Sequence, residues 1–174
     1  MTHRTESGRG ESLRTKLQRW GFNWFPAYRG TGARILYIER DYREVRVKLP
    51  LSWRTRNYVG TIFGGSMYGA VDPIYMIMLI KRLGSDYLVW DKAASIRFRR
   101  PGRDTLYATF RLDDGEVRTV REALEREASV ERTYTVALVD EEGTTHATVD
   151  KVLHIRRRAE ASTEHEDADG RPRK

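Results

Sequence analysis

Asp72 is the residue of this chain whose position asks most for a chemical reason. It closes the stretch FGGSMYGAVDP, residues 63–73, where two adjacent glycines lead into an otherwise apolar run. If a helix starts near Gly64, its first N–H groups lack intrahelical partners and carry the positive end of the helix dipole. Gly64 and Gly65 would let a carbonyl oxygen come close to those amides. That arrangement stabilises an oxyanion. Tight packing against a strand would equally select the glycine pair. Asp72 supplies a carboxylate that could activate water as a general base or attack as a nucleophile. Burial would raise its pKa. Its bland alternative is a structural aspartate bonded to nearby backbone or to an arginine. The two groups stand eight residues apart, about 12 Å along a helix, so one helix cannot bring both to one carbonyl carbon. Asn57 could bond a substrate carbonyl or fix the loop ahead of Gly64. Asp91 and Lys92 interrupt a strand-like run between Trp90 and Ala93. A charged pair there either belongs to a structural network or places Asp91 in the site.

Other chemistries are set aside by residue type and spacing. The chain has 174 residues and no cysteine, which removes disulfides, thiolate metal sites and a cysteine nucleophile. His146 and His154 share a strand face, but eight strand residues span about 27 Å, too far for one metal. No metal site is expected. Residues 64–68 lack the final glycine of a serine nucleophile elbow, and no GK[ST] follows the glycines. The net charge of +7 is spread along the chain, and residues 20–156 hold 22 basic and 18 acidic side chains. Without a basic stripe or a known nucleic-acid motif, nucleic acid is not an expected partner. No apolar run is long enough to span a membrane, and the polar start has no apolar signal region. The expected location is the cytoplasm.

The elements that must position these groups are legible from periodicity. Residues 1–11 and 158–174 read as disordered charged tails, leaving one domain over 12–157. Leu13, Leu17 and Trp20 predict a short helix ended at Phe25-Pro26. Strands are expected over 33–41 and 43–51 as a hairpin, then over 87–100, 105–112, 132–140 and 144–156. Val117, Val120 and Leu124 predict a short helix over 116–129. Residues 64–83 read as one long helix, apolar nearly all round and so enclosed, ending at Gly84. Pro73 cannot bond the Gly69 carbonyl, which predicts a kink beside Asp72. The fold class is α+β: an antiparallel sheet of about six strands wrapped around one long central helix.

This layout, with Asn57, six residues on Phe63-Gly64-Gly65, and Asp72 seven residues after the second glycine, resembles the hotdog-fold thioesterases. The likeness covers roughly residues 30–157, and GTIFGGSMYGAVDP also resembles a hotdog subfamily known mainly as an uncharacterised domain, related to the phenylacetate-pathway and 4-hydroxybenzoyl-CoA thioesterases. Phe63 replaces the histidine of the best-studied members, and the absence of histidine from 57–83 differs from hotdog dehydratases. The resemblance implies a homodimer, or a tetramer built from it, in which Gly64 and Asn57 of one subunit face Asp72 of the other. It implies hydrolysis of an acyl-CoA or related thioester without a metal or separate cofactor, coenzyme A being part of the substrate. Asp91 falls where some relatives carry a serine that orients water. Phe63, Met67, Tyr68, Tyr75, Met76 and Trp90 would line an acyl tunnel, or else pack the core, and Gly65 would join Phe63, Met67 and Tyr68 in binding substrate. Arg99, Arg100 and Arg103, with Arg97, surround Pro101 near the expected mouth for coenzyme A, where arginine forks suit phosphates. A solvated strand face would look the same. A non-catalytic acyl- or lipid-binding hotdog protein is the alternative function.

Overall fold

The computed structural model describes residues 10–158. The predicted tails fall outside the described residues except at their inner ends. There, Glu11 accepts hydrogen bonds from Arg19 (2.7 Å) and from the Ile38 N–H (3.2 Å).

Ser12 forms a capping box with Thr15 and starts helix α1, Leu13–Trp24. Phe25-Pro26 does more than end it, because Pro26 sits at the first position of a second short helix, α2, Pro26–Gly30. The inward side of α1 carries Thr15, Gln18 and Phe22, while Leu13, Leu17 and Trp20 face outward. The spacing thus gives the helix correctly, but its apolar stripe is not packed on its own chain.

The sheet has six strands in the order β1-β2-β4-β5-β6-β3, all neighbours antiparallel. They are β1 (Arg34–Ile38), β2 (Glu44–Leu49), β3 (Tyr87–Phe98), β4 (Leu106–Arg111), β5 (Ser129–Val139) and β6 (Thr145–Arg157). Alternation places Val45, Val47 and Leu49 of β2 and Ala147, Val149, Leu153 and Ile155 of β6 on the inner face. The helix predicted at 116–129 spans Asp114–Ala123, starting two residues early on its cap Asp113, whose carboxylate accepts the Glu116 N–H at 2.7 Å, and ending before the expected 129. Strand β5 begins at Ser129, earlier than expected, because Ser129, Val130 and Glu131 already pair with β6.

The central helix is two helices. α3 spans Gly64–Val71 and α4 spans Ile74–Leu83, broken at Asp72-Pro73; the capped helix of the insertion, Asp114–Ala123, is α5. The last α3 bond runs from the Asp72 N–H to the Tyr68 carbonyl (3.0 Å), and the first of α4 from Ile77 to Pro73 (3.0 Å). With no proline N–H the ladder is interrupted, and the Tyr28 hydroxyl donates to the Ala70 carbonyl at 3.1 Å. Gly84 ends α4 with φ 100°. Met67, Ala70, Val71, Ile74, Met78 and Leu79 are buried against the sheet. The enclosure expected from the all-round apolar pattern is incomplete: Met76 and Ile77 are half-buried and Ile80 is exposed on the side turned from the sheet.

Candidate active site

Strand β6 places Lys151 at an inner position, in phase with Val149 and Leu153. Its side chain is 1% exposed. The ammonium donates to Asp72 Oδ1 at 2.6 Å and to the Tyr68 hydroxyl at 3.3 Å. It also lies 2.9 Å from Asp91 Oδ1, as an ion pair off hydrogen-bond alignment, and 5.2 Å from the centre of the Tyr68 ring. Asp91 reaches inward in phase with Val89, and a bulge follows it in β3. Asp91 opposes Leu153, Ala93 opposes Val152, and Lys92 is the extra residue. The predicted Asp91-Lys92 pair is therefore split, with Lys92 bonded to Glu131 on the outside.

The electrostatics follow from this crowding. Burial alone would lower the Lys151 ammonium, but the hydrogen bonds to Asp72 and Tyr68 and the adjacent Asp91 carboxylate outweigh it and hold it above the ordinary lysine value. Burial raises the Asp91 carboxyl. Lys151 opposes that rise only in part, and the charge of Asp72 adds to it. One cation between two carboxylates leaves a net negative charge. Asp72 is the open member, 40% exposed against 25% for Asp91. Its Oδ1 is held by Lys151, and the Tyr68 hydroxyl also interacts with the carboxylate.

The second group lies at the other end of α3. Asn57 Oδ1 accepts the Val59 and Thr61 N–H groups at 3.1 and 3.0 Å, and its Nδ2 donates to Thr61 Oγ1 at 2.8 Å. Of the two roles expected for Asn57, these bonds are those of the loop-fixing one. The loop is tied down by Ile62 to Gly102 (2.8 Å) and Phe63 to Thr55 (2.7 Å), which delivers Gly64 to the helix start. Among the described residues no side chain caps α3, so its first-turn N–H groups keep free hydrogens. A Cβ on Gly64 would meet Phe98 at 2.8 Å, and one on Gly65 would meet the Phe63 ring at 2.3 Å. A cavity of about 390 Å³ opens here, lined by Asn57, Gly64, Met67, Phe98, Arg99 and Arg100 among others.

The sequence-predicted residues thus fall into two groups. Asn57, Gly64, Met67, Arg99 and Arg100 meet at the glycine end, with Phe63 and Gly65 beside them. Asp72, Asp91 and Tyr68 meet around Lys151. Arg103 is exposed and lines neither group. The six tunnel residues are not gathered. Tyr75 is core, stacked on Tyr134 at 4.8 Å, and Trp90 lies on His154 at 4.3 Å on the outer face. Met76 lines a separate cavity of about 650 Å³ that also reaches Asp72. His146 and His154 are apart, the first bonded to Asp140 at 2.9 Å and to the Pro101 carbonyl. Sequence reasoning missed Lys151. Its signal was present in ATVDKVLHI, where Lys151 takes the inner phase of an otherwise apolar alternation.

A six-stranded antiparallel sheet closed over a central helix that opens on paired glycines is the hotdog fold of thioesterase-like proteins. The chain belongs to the family described as "Domain of unknown function (DUF4442)", which it matches over residues 14–155. No curated protein matches it. Among solved structures, it is similar to PA5026 of Pseudomonas aeruginosa, a protein of unknown function described as a probable thioesterase, with TM-score 0.76 and 21% identity over 87% of this chain and 100% of that one. It is similar to the thioesterase HI1161 of Haemophilus influenzae, with TM-score 0.63 and 13% identity over 90% and 99% of the two chains. It is also similar to PaaI of E. coli, from the phenylacetic acid degradation operon, with TM-score 0.56 and 17% identity over 84% and 96%.

Proposed function

We propose that the protein hydrolyses acyl thioesters, with coenzyme A esters as the leading class, at a site completed by two copies of the chain. The observation that carries this reading is the Asp72–Lys151–Asp91 cluster. A cation and two carboxylates at the edge of an apolar core cost desolvation that apolar residues would avoid, so a task for the open carboxylate explains them better than stability does. Gly64 and Asp72 terminate opposite ends of α3 and cannot serve one carbonyl within a chain. Antiparallel apposition of two such helices brings each glycine turn to the other's aspartate. Strand β3 supports this arrangement, since it ends the sheet with one long edge unpaired among the described strands, and Ala93, Ala94 and Ser95 on it are exposed.

In the proposed reaction the partner's first α3 amides donate hydrogen bonds to the thioester carbonyl oxygen. The Asp72 carboxylate removes a proton from water as the water oxygen bonds to the carbonyl carbon, and the carbonyl electrons move onto the carbonyl oxygen. As the oxyanion collapses, the carbon–sulfur bond breaks and the thiolate takes the proton back from Asp72. Lys151 fixes the carboxylate's orientation. Arg99 and Arg100 are the side chains available to the phosphates of coenzyme A. The scheme uses no metal and no separate cofactor.

The test is a panel of acyl-CoAs assayed with a thiol reagent. Native protein should turn over at least one of them, and Asp72→Asn should lower kcat by about 100-fold or more with its circular dichroism unchanged. Absence of turnover by the native protein across the panel defeats the proposal.

A further inference from the structure

The break between α3 and α4 faces a cavity that the scheme above leaves unassigned. At about 650 Å³ it is the larger of the two beside the candidate residues, and its size is that of a small-molecule pocket. One wall is the side of the central helices turned from the sheet, with Pro73, Met76 and Ile77. The opposite wall is the α1–α2 pair, with Phe22, Phe25 and Tyr28. Both walls come from one chain, so the groove is complete without a partner.

Its polar groups are placed unevenly. Asp72 stands at one end and Lys81 nine residues on, about 13 Å along the helix. Tyr28 and Thr31 point their hydroxyls elsewhere, to the carbonyls of Ala70 and Tyr28. Gln18 accepts the Tyr42 hydroxyl. The length between the ends is apolar. Two helical glycines border the groove, and they differ. A Cβ on Gly69 would meet Thr31 at 2.8 Å, so packing explains it. A Cβ on Gly21 would meet nothing within 4 Å, and its φ is not positive. Glycine inside a helix costs about 1 kcal/mol relative to alanine. Neither packing nor backbone geometry asks for it at position 21, and the space over it is open.

We infer that this groove is the subsite for an aliphatic acyl chain of medium length, laid along α4 with its carbonyl end at Asp72 and its tail toward the stem of Lys81. The inference rests on Asp72 as the reacting group, but the ligand class comes from the groove. A ligand that is apolar along its length and reactive at one end matches an apolar trough that ends on the open carboxylate of the lysine cluster.

The experiment uses decanol, an uncharged probe that avoids repulsion from Asp72, with butanol as the short comparator. Binding is followed by calorimetry and by the NMR signal of the Met76 methyl group. Decanol should bind saturably, shift that methyl and bind at least about tenfold more tightly than butanol. Ala27→Trp, at an exposed position on the groove wall, and independently Gly21→Trp should each weaken decanol at least about tenfold, with folding checked by circular dichroism. Absence of saturable binding, or binding unmoved by both substitutions, overturns the inference. So does a Met76 signal that shifts with protein concentration rather than with decanol, since the groove would then be filled by a second copy. Decanol binding without hydrolysis of any acyl-CoA defeats only the hydrolytic proposal, and hydrolysis without decanol binding defeats only this one.

Discussion

Lys151 shows how much one side chain can reveal when it stands on the wrong face of a strand. It is buried and bonded to Asp72, and Asp91 and Tyr68 complete its surroundings. Lys151→Met should leave two facing carboxylates without a cation and destabilise the fold by about 3 kcal/mol, read from denaturant unfolding. Lys151→Met combined with Asp91→Asn should recover much of that loss, and a double-mutant cycle measures the coupling. The pH dependence has a definite sign. Because the Lys151 ammonium is held above its ordinary 10.5, its contribution is complete below that value and is lost as pH rises through the higher folded value. Thermal melts of the native protein should therefore show an alkaline loss of stability that melts of Lys151→Met lack. At this scale spacing alone pointed to Asp72 and Gly64, but not to their company. Lys151 was visible as an inner-phase lysine, whereas its bond to Asp72 joins residues 79 positions apart, and only the pairing of β6 beside β3 creates it.

Among the elements, the α3–α4 break was legible and the α1–α2 pair was only half so. Pro73 and the Gly69 four residues before it announce a defect in any helical register. The Tyr28 hydroxyl that occupies the Ala70 carbonyl could not be foreseen, because it comes from a helix that the Phe25-Pro26 step had suggested was over. The break should be separable from stability. Pro73→Ala restores a donor toward the Gly69 carbonyl, and should raise Tm by roughly 2–4 °C, about 1 kcal/mol for a chain of this size. It should also lower thioester turnover, since a continuous helix re-aims Asp72. Calorimetry and the thiol assay on the same sample check both halves, and a variant that gains Tm with full turnover would separate the break from the site.

For the whole molecule, the question is whether one chain contains a site or half of one. The glycine turn and the lysine cluster occupy opposite ends of one helix, and the sheet ends on an open β3 edge. A shared site predicts complementation. Gly64→Val, whose side chain would collide with Phe98, and Asp72→Asn should each be inactive alone. Co-expressed as mixed dimers they should regain up to about a quarter of native kcat, since half of the assemblies are mixed and each holds one intact site of two. Failure to regain activity in purified mixed dimers would place each site within one chain.

The bulge at Lys92 has a bearing on how such chains can change length. Val89 and Asp91 face inward on odd positions, while Ala94, Ile96 and Phe98 oppose the inner residues of β6 on even ones. The strand is thus two half-strands of opposite parity spliced by a single supernumerary residue. Loss of a residue at the splice would leave both halves on their present partners, whereas loss anywhere else in β3 would turn one half inside out and carry either Asp91 or the Ile96 side of the ladder away from the interior. Natural variation in the length of this strand should therefore be concentrated at one position, and a relative lacking the splice residue can still present its acid to the lysine.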